Sequence, residues 1–266
     1  MLMKLLKYEF RSIGRQLIPM YLGVLGLAVV NHFIGPFRMN SPLGNIPAVV
    51  SVMAYTGVCV ALFVITILLI IQRFYKGLLT EEGYLMFTLP CKPWQLIAAK
   101  GIAATAMTVV GSCVGILSVM LIAMSLQDWG YFFRGLGEIP WMRLFQSHAL
   151  WPLYIVELLI AMVFGLFSTV GHVYVSIAIG HLSNKHRIAY AILAYIGINM
   201  IWGVALGMFG SIMNKLNFNT IPIDIYIDGA WAAHLAMIIL ILSQLIPTAI
   251  YFFSTNWILS NKLNLE

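Results

Sequence analysis

The chain has 266 residues, of which 61% are hydrophobic and only 9% are charged, and its mean hydropathy is +0.93. This composition excludes an ordinary soluble domain and is typical of a protein with several membrane spans. The net charge is +6, but the basic residues are spread between apolar runs, which indicates membrane topology and excludes a nucleic-acid-binding patch. Cysteines and histidines show neither CxxC nor HExxH spacing, so we expect no metal site.

Residues 1–16 predict a basic amphipathic helix that lies in the lipid interface. Its apolar arc contains Leu2, Leu5, Leu6, Phe10 and Ile13, followed by Leu17. Its basic arc contains Lys4, Lys7, Arg11 and Arg15. Glu9 interrupts the apolar arc, and two interpretations of it are open. The side chain extends to water, or it forms an ion pair with a basic group of a neighbouring cytoplasmic segment.

Six apolar runs predict six membrane-spanning helices, since a helix needs about 20 residues to cross the hydrocarbon core. The predicted spans cover residues 17–34, 48–71, 101–126, 149–179, 188–213 and 230–253. Between the third and fourth spans, dense aromatic residues predict a short helix on the outer surface. We therefore expect an all-α membrane protein whose residues 1–266 form a single transmembrane domain.

The orientation follows from the distribution of Lys and Arg between the two sides. With the N-terminus inside, eleven of them fall in inner segments: Lys4, Lys7, Arg11, Arg15, Arg73, Lys76, Lys92, Lys100, Lys185, Arg187 and Lys262. Four fall in outer segments: Arg38, Arg134, Arg143 and Lys215. This bias predicts that both termini and the connection between the second and third spans are cytoplasmic.

That connection, residues 80–90, predicts a short helix. Thr80 can cap its start, Glu81 and Glu82 suit the positive end of the helix dipole, and Pro90 ends it after about two turns. Its remaining side chains are mostly apolar or aromatic: Tyr84, Leu85, Met86, Phe87 and Leu89. At a membrane surface, such a face is suited to binding another protein.

Two stretches resemble a known family. They are the run Glu81-Glu82-Gly83-Tyr84-Leu85-Met86-Phe87-Thr88-Leu89-Pro90 and the opening Leu5-Leu6-Lys7-Tyr8-Glu9-Phe10. Both resemble the permease subunits of bacterial ABC transporters of the ABC-2 type. The resemblance implies six membrane helices and a short cytoplasmic coupling helix between the second and third, which docks into a groove of a separate ATPase subunit. The implied coupling residues are Glu81, Glu82, Gly83, Tyr84, Leu85, Met86, Phe87 and Leu89.

The functional expectation is a permease subunit without a motor of its own. No GxxxxGK[ST] phosphate loop occurs, so the chain holds no cofactor, and ATP and Mg²⁺ are expected on a partner ATPase. Six spans are too few to enclose a polar path, which implies a second permease in a homo- or heterodimer. We expect an exporter in the bacterial plasma membrane. The alternative is a membrane sensor or assembly subunit that binds a cytoplasmic partner without transport.

An intramembrane enzyme is a weaker interpretation, and we expect no catalytic residues. The pair Glu81-Glu82 lacks the following Arg of an EExxxR protease motif, and no GxSxG elbow occurs. Glu157 and Asn199 are candidate cavity-lining residues because polar groups within spans are expensive to bury. A neutral Glu157 hydrogen-bonded to a neighbouring helix is the structural alternative to a cargo or gate contact.

Two GxxxG motifs suggest places where helices approach closely. Gly111 and Gly115 lie in the third predicted span, and Gly203 and Gly207 lie in the fifth. Small residues at this spacing allow two helix backbones to pack together, although chance occurrence in a glycine-bearing span is an alternative explanation.

Overall fold

The computed structural model describes residues 2–34, 46–79, 91–138, 151–183, 185–215 and 229–262. In these ranges every regular element is an α-helix. The helices are α1 (Leu2–Ile34), α2 (Ile46–Leu79), α3 (Pro93–Ala123), α4 (Leu126–Glu138), α5 (Trp151–Gly180), α6 (Arg187–Lys215) and α7 (Gly229–Asn261).

Six of these helices are long and apolar enough to cross a membrane: α1, α2, α3, α5, α6 and α7. For the described residues, the prediction of an all-α protein with six helices suited to spanning a membrane is thereby confirmed. Several helices run past their predicted ends. The second continues to Leu79, and the third begins at Pro93. Proline is tolerated at the start of a helix because the N–H groups of the first turn have no hydrogen-bond acceptor within the helix.

The N-terminal helix differs from its prediction. A single helix covers Leu2–Ile34, with Pro19 inside it, so a separate interfacial helix over residues 1–16 is not confirmed. The physical reason is a continuous buried stripe on one face of α1, formed by Ile13, Leu17, Tyr21, Val24 and Ala28. Because this stripe crosses the predicted boundary at helical spacing, the core holds both halves in one helix.

Backbone contacts divide the chain into two compact units, and the prediction of one domain over residues 1–266 stays a prediction. The first unit consists of Met1–Arg73 and Ala98–Ser147. In it, the buried stripe of α1 packs against Ala103 of α3 and Tyr55 of α2. The Tyr21 hydroxyl donates a hydrogen bond to the Met107 carbonyl at 2.8 Å, which fixes α1 against α3.

The second unit consists of Phe74–Ile97 and His148–Glu266. Its centre is α5, which packs against both α6 and α7 and more extensively against α7. Gly180 ends α5 at a point of close approach, where an added Cβ would lie only 2.6 Å from the Ala191 Cβ of α6. A glycine at this position therefore lets α5 and α6 meet at their shared turn.

The short helix α4 confirms the helix predicted between the third and fourth spans, while its position on the outer surface stays a prediction. Ser125 and Asp128 cap its start reciprocally: the Ser125 N–H donates to the Asp128 carboxylate at 2.7 Å, and the Asp128 N–H donates to the Ser125 hydroxyl at 3.1 Å. Three aromatic rings, Trp129, Phe132 and Phe133, contact one another on one side of the helix.

Candidate functional site

The predicted ATPase-coupling residues lie outside the described part of the chain. They are Glu81, Glu82, Gly83, Tyr84, Leu85, Met86, Phe87 and Leu89. The structure does describe the two helix ends that flank this segment, namely residues 74–79 at the end of α2 and residues 91–97 at the start of α3. These two stretches are called the flanks below, and both belong to the second unit.

The flank on α2 is anchored by aromatic stacking and burial. Phe74 and Leu78 are fully buried, and Leu79 is nearly so. The ring of Phe74 stacks on Tyr174 of α5 with centroids 4.0 Å apart. A buried stacked pair of this kind resists displacement, because separating the rings exposes a large apolar area. The last turn of α2 is therefore fixed to α5.

The flank on α3 is anchored by burial alone. The Gln95 N–H donates to the Lys92 carbonyl at 2.9 Å as the helix begins, and Leu96 and Ile97 in its first turns are buried. Each flank of the 80–90 segment thus contains buried apolar residues of a helix end.

A second connection reaches the same place from the end of α5. The ring of His181, just after α5, lies 6.0 Å from the ring of Tyr75. Burial lowers the pKa of His181 below its usual value, the positive charge of Arg187 lowers it further, and hydrogen bonding to the Leu79 backbone opposes both effects. The side chain therefore connects the turn between α5 and α6 with the end of α2.

Glu9 lies in an ion-pair cluster in the first unit. Lys100 of α3 donates from Nζ to Glu9 Oε1 at 2.6 Å, and Arg73 of α2 places Nη1 3.8 Å from Glu9 Oε2. Arg73 also donates to the Ser12 hydroxyl. The side chains of Lys100 and Glu9 are only 5% and 11% exposed. The ion-pair interpretation of Glu9 is confirmed, and its partners are both identified.

This cluster joins three helices through charge. A carboxylate largely removed from water is stabilised only when cations lie close to it, so Glu9 requires Lys100 and Arg73 to stay in place. Both cations come from the helices that lead to the 80–90 segment. The cluster therefore ties α1 to α2 and α3 inside the first unit.

Glu157 forms a second buried pair, in the second unit. Its carboxylate oxygens lie 3.0 Å and 2.9 Å from Nδ1 of His234 on α7. The side chains of His234 and Glu157 are 3% and 13% exposed. The ring of Tyr154, one turn earlier on α5, stacks on His234 with centroids 4.0 Å apart and planes at 5°. The prediction that Glu157 lines a cavity stays a prediction.

Asn199 occupies a different environment. It is exposed on α6, and its amide donates to the Tyr195 carbonyl of the same helix at 3.0 Å. The structure does not bring it together with Glu157. Its role as a cavity-lining residue also stays a prediction.

A histidine between two tyrosines was not found by sequence reasoning. His172 of α5 is buried, with the ring of Tyr195 of α6 at 4.3 Å and the ring of Tyr251 of α7 at 5.2 Å. Gly171 lies beside Tyr251, because a Cβ added there would be in ordinary van der Waals contact with the Tyr251 Cβ at 3.4 Å. The three stacked rings connect all three long helices of the second unit.

No protein-family model, curated protein or solved structure matches this chain. The resemblance to ABC-2 permeases therefore depends on the two sequence motifs alone. Within the described residues, no three His, Cys, Asp or Glu side chains come together in the way that would hold a metal ion. Among the described residues, the structure assembles the Glu9 cluster, the Glu157–His234 pair and the His172 stack.

Proposed function

We propose that this chain is the membrane-spanning permease subunit of an ABC-2 type transporter, an exporter driven by a separate ATPase subunit that docks on residues 80–90. The observation that supports this most is the anchoring of both flanks: Phe74 and Leu78 on one side and Leu96 and Ile97 on the other are buried. A partner that pushed on the segment between them would act on helices, not on a free loop.

The proposed mechanical step depends on the stiffness of helices. The two-turn helix that the sequence predicts for residues 80–90 would move as a rigid lever, and a packed interface would transmit its movement. The Phe74–Tyr174 stack would carry this movement to α5, and the contact of His181 with Tyr75 would carry it to the turn before α6. Both contacts lie inside the second unit, so ATP-driven motion would reach α5 and α6 directly.

The Glu9 cluster supports the same role from the first unit. Glu9 holds Lys100 and Arg73, which lie on the two helices leading to the segment. Pulling either helix away would leave a buried charge without a partner, which is strongly unfavourable. The two helices are therefore expected to move together with α1, as a lever requires.

The remaining components of the proposed transporter lie in other chains. ATP and Mg²⁺ belong to the partner ATPase, and a second permease completes the path across the bilayer. The complex acts in the bacterial plasma membrane with the termini of this chain in the cytoplasm. Membrane lipid surrounds the exposed apolar side chains that the six helices carry.

The test replaces the aromatic anchors of the segment. In the Tyr84→Ala/Phe87→Ala double variant, we expect the ATPase subunit no longer to copurify with the tagged permease, or to hydrolyse ATP without responding to cargo. Aromatic side chains contribute most of the binding energy at such interfaces, so the loss should be about tenfold or more in affinity. The matched control is Tyr131→Ala/Phe133→Ala, two exposed aromatic residues of α4 that should leave assembly unchanged.

The measurements are the ATPase content of the purified complex and its ATP hydrolysis in lipid vesicles. Assembly and coupling that are unaltered in the Tyr84→Ala/Phe87→Ala variant would contradict the docking site. If the unaltered chain copurifies with no phosphate-loop ATPase at all, the sensor or assembly-subunit alternative replaces the transporter.

A further inference from the structure

The exposed face of α1 changes from basic to apolar along its length. A stripe of exposed side chains follows the helix at spacings of three, four or seven residues, on a different face from the buried Ile13 and Leu17. Its first half, called the basic stripe below, consists of Lys4, Lys7, Arg11 and Arg15. Its second half, called the apolar stripe, consists of Ile18, Leu22, Val29 and Phe33.

The charge of the basic stripe is not balanced by ion pairs within the described part of the chain. None of its four side chains pairs with a described carboxylate. The described acidic residues of the first unit are Glu9, Asp128 and Glu138. Glu9 pairs with Lys100 and Arg73, and the other two belong to α4, which follows the opposite end of α3 from Lys100. The basic stripe therefore suits a negatively charged partner from outside the first unit.

The Glu9 cluster shows the level at which the basic stripe lies. Its two cations stand at the edges of uncharged apolar runs, because residues 101–123 follow Lys100 and residues 49–71 end just before Arg73. Lys7 and Arg11 are each two residues from Glu9, which is about 3 Å along the helix axis. They therefore lie level with the ends of the apolar runs, where the lipid headgroups of a membrane begin.

The other two members of the basic stripe lie on either side of this level. Lys4 is about 8 Å from Glu9 along the helix, towards water, and Arg15 is about 9 Å from it, towards the apolar stripe. A long arginine side chain keeps its stem in lipid while its charged end reaches the headgroups. The headgroup layer is about 5–8 Å thick, so the four cations together extend across it.

The continuity of the two halves indicates which partner covers this face. Ile18 and Leu22 are 52% and 63% exposed on a helix long and apolar enough to cross a membrane, so the apolar stripe faces lipid chains. A phospholipid has a charged headgroup next to apolar chains, in the same order as the two halves of the stripe. An acidic protein would match only the basic half.

We propose that the basic stripe of α1 binds the headgroups of anionic phospholipids, whose acyl chains lie along the apolar stripe. The phosphate group accepts charge-assisted hydrogen bonds from Lys and Arg, and each cation near an anionic membrane surface strengthens binding about fivefold. Bound headgroups hold α1 at a fixed depth in the bilayer. The site needs only this chain and the membrane, so it does not depend on ATPase docking at residues 80–90.

The first experiment measures which lipid contacts the basic stripe. Tyr8 is 69% exposed beside the stripe, so Tyr8→Cys, in a chain whose Cys59, Cys91 and Cys113 are replaced, carries a fluorophore there. The chain is reconstituted in phosphatidylcholine vesicles that contain brominated phosphatidylglycerol or, separately, brominated phosphatidylcholine. Bromine quenches a fluorophore that it contacts. We expect phosphatidylglycerol to give the same quenching at about a fifth of the mole fraction or less.

Three variants in this background separate the site from the net charge of the protein. Lys7→Gln/Arg11→Gln should reduce the preference for phosphatidylglycerol about fivefold or more, because two of the four cations are lost. Lys7→Arg/Arg11→Lys should retain it. The matched control is Lys185→Gln/Lys262→Gln, which removes two exposed charges from the second unit and should also retain it. Salt raised from about 0.1 M to about 1 M should weaken the preference, since the Debye length falls from about 10 Å to about 3 Å.

A second measurement uses the chain without any substitution. Its unfolding midpoint in detergent should rise more with added phosphatidylglycerol than with added phosphatidylcholine, because a ligand of the folded state stabilises that state. Equal midpoints with the two lipids, or equal quenching by them, overturn the proposal. An equal loss of preference in Lys7→Gln/Arg11→Gln and Lys185→Gln/Lys262→Gln overturns it as well, since net charge would then explain the preference. If an acidic protein covers the basic stripe instead, the chain alone shows no lipid preference.

Discussion

At the scale of single residues, buried charge in this chain is held by partners that are far away in sequence. Glu9 is neutralised by Lys100, and Glu157 contacts His234. Each pair joins two different helices, so the side chains contribute to the position of the helices as well as to their own solvation. A buried ion pair adds little stability relative to an apolar pair, but removing one partner is strongly unfavourable.

The first prediction concerns Lys100 and Glu9. Lys100→Met leaves the largely buried Glu9 carboxylate with Arg73 alone at 3.8 Å, so we expect a loss of about 3 kcal/mol in the free energy of unfolding. The double variant Lys100→Met/Glu9→Gln should recover part of that loss, because the unpaired charge is removed too. Unfolding in detergent of the unaltered chain, Lys100→Met, Glu9→Gln and the double variant gives the four free energies of a double-mutant cycle.

Lys92→Met is the matched control for this cycle. Lys92 is exposed and begins the same helical region, so its replacement should change stability by less than about 0.5 kcal/mol. Equal stability of Lys92→Met and Lys100→Met would show that the pairing of Glu9 has no energetic role.

The second prediction concerns the pH dependence of stability at His181. Its pKa in the folded chain lies below the usual 6.5, first because it is buried and second because Arg187 is close. As pH falls below about 6.5 the unfolded chain binds a proton at this site and the folded chain does not. The free energy of unfolding therefore decreases towards the folded pKa, by at most about 1.4 kcal/mol per pH unit.

Thermal unfolding at about pH 7.5 and pH 5.5 tests this sign. We expect His181→Gln to reduce the difference in midpoint between the two pH values. His186→Gln, in the same turn but exposed, should retain the difference found in the unaltered chain. A larger acid-induced loss in His181→Gln than in the unaltered chain would contradict the assignment.

At the scale of helices, the two glycines of the first GxxxG motif have different environments. A Cβ on Gly111 would lie 3.0 Å from the Tyr21 hydroxyl oxygen, whereas a Cβ on Gly115 would have no neighbour within 4 Å. The close approach predicted from this motif thus involves Gly111 and α1. Gly203 and Gly207 of the second motif meet no neighbour within 4 Å in the described chain.

The third prediction follows from this difference. Gly111→Ala should displace Tyr21 and its hydrogen bond to Met107, lowering the free energy of unfolding by about 1–3 kcal/mol. Gly115→Ala should be neutral or stabilising by up to about 1 kcal/mol, because alanine favours the helix. Unfolding midpoints of the two variants in detergent provide the comparison. Equal midpoints would mean that α1 and α3 do not pack at Gly111.

Much of the helix content was predictable because apolar runs of span length dictate helices whatever their partners. The continuity of α1 was also predictable from the sequence, since Ile13, Leu17 and Tyr21 recur at helical spacing across the predicted break near residue 16. The change from basic to apolar composition obscured it. The composition of a helix segment indicates whether it is surrounded by water or lipid. The buried stripe of α1 instead determines how far that helix continues.

The partner of Glu157 was less accessible to sequence reasoning. The sequence did contain one indication, the similar depth of the two residues in their helices. Glu157 lies about 9 Å from the start of α5 and His234 about 8 Å from the start of α7, and the two helices are expected to enter the membrane from the same side. Tertiary packing determines which helices are neighbours. The residue type at one position of a single sequence does not reveal it. The partners of Glu9, Lys100 and Arg73, could not be predicted for the same reason.

At the scale of the whole molecule, the described residues form six helices suited to crossing a membrane, and an even number of spans predicts that both termini lie on one side. Helix geometry does not decide which side that is. The distribution of basic residues predicts the cytoplasmic side, because Lys and Arg in short loops are retained in the cytoplasm during insertion. The proposed ATPase docking requires residues 80–90 on that same side.

The last prediction tests this orientation in intact cells. Cysteines introduced singly at Asn40, Gly137 and Asn219, in a chain whose Cys59, Cys91 and Cys113 are replaced, should react with a membrane-impermeant thiol reagent applied from outside. Asn184→Cys should react only after the cells are opened, since it lies between Lys185 and the end of α5 on the basic side. External labelling of Asn184→Cys with protection of Gly137→Cys would invert the topology, place residues 80–90 outside the cytoplasm and remove any access of an ATPase to them.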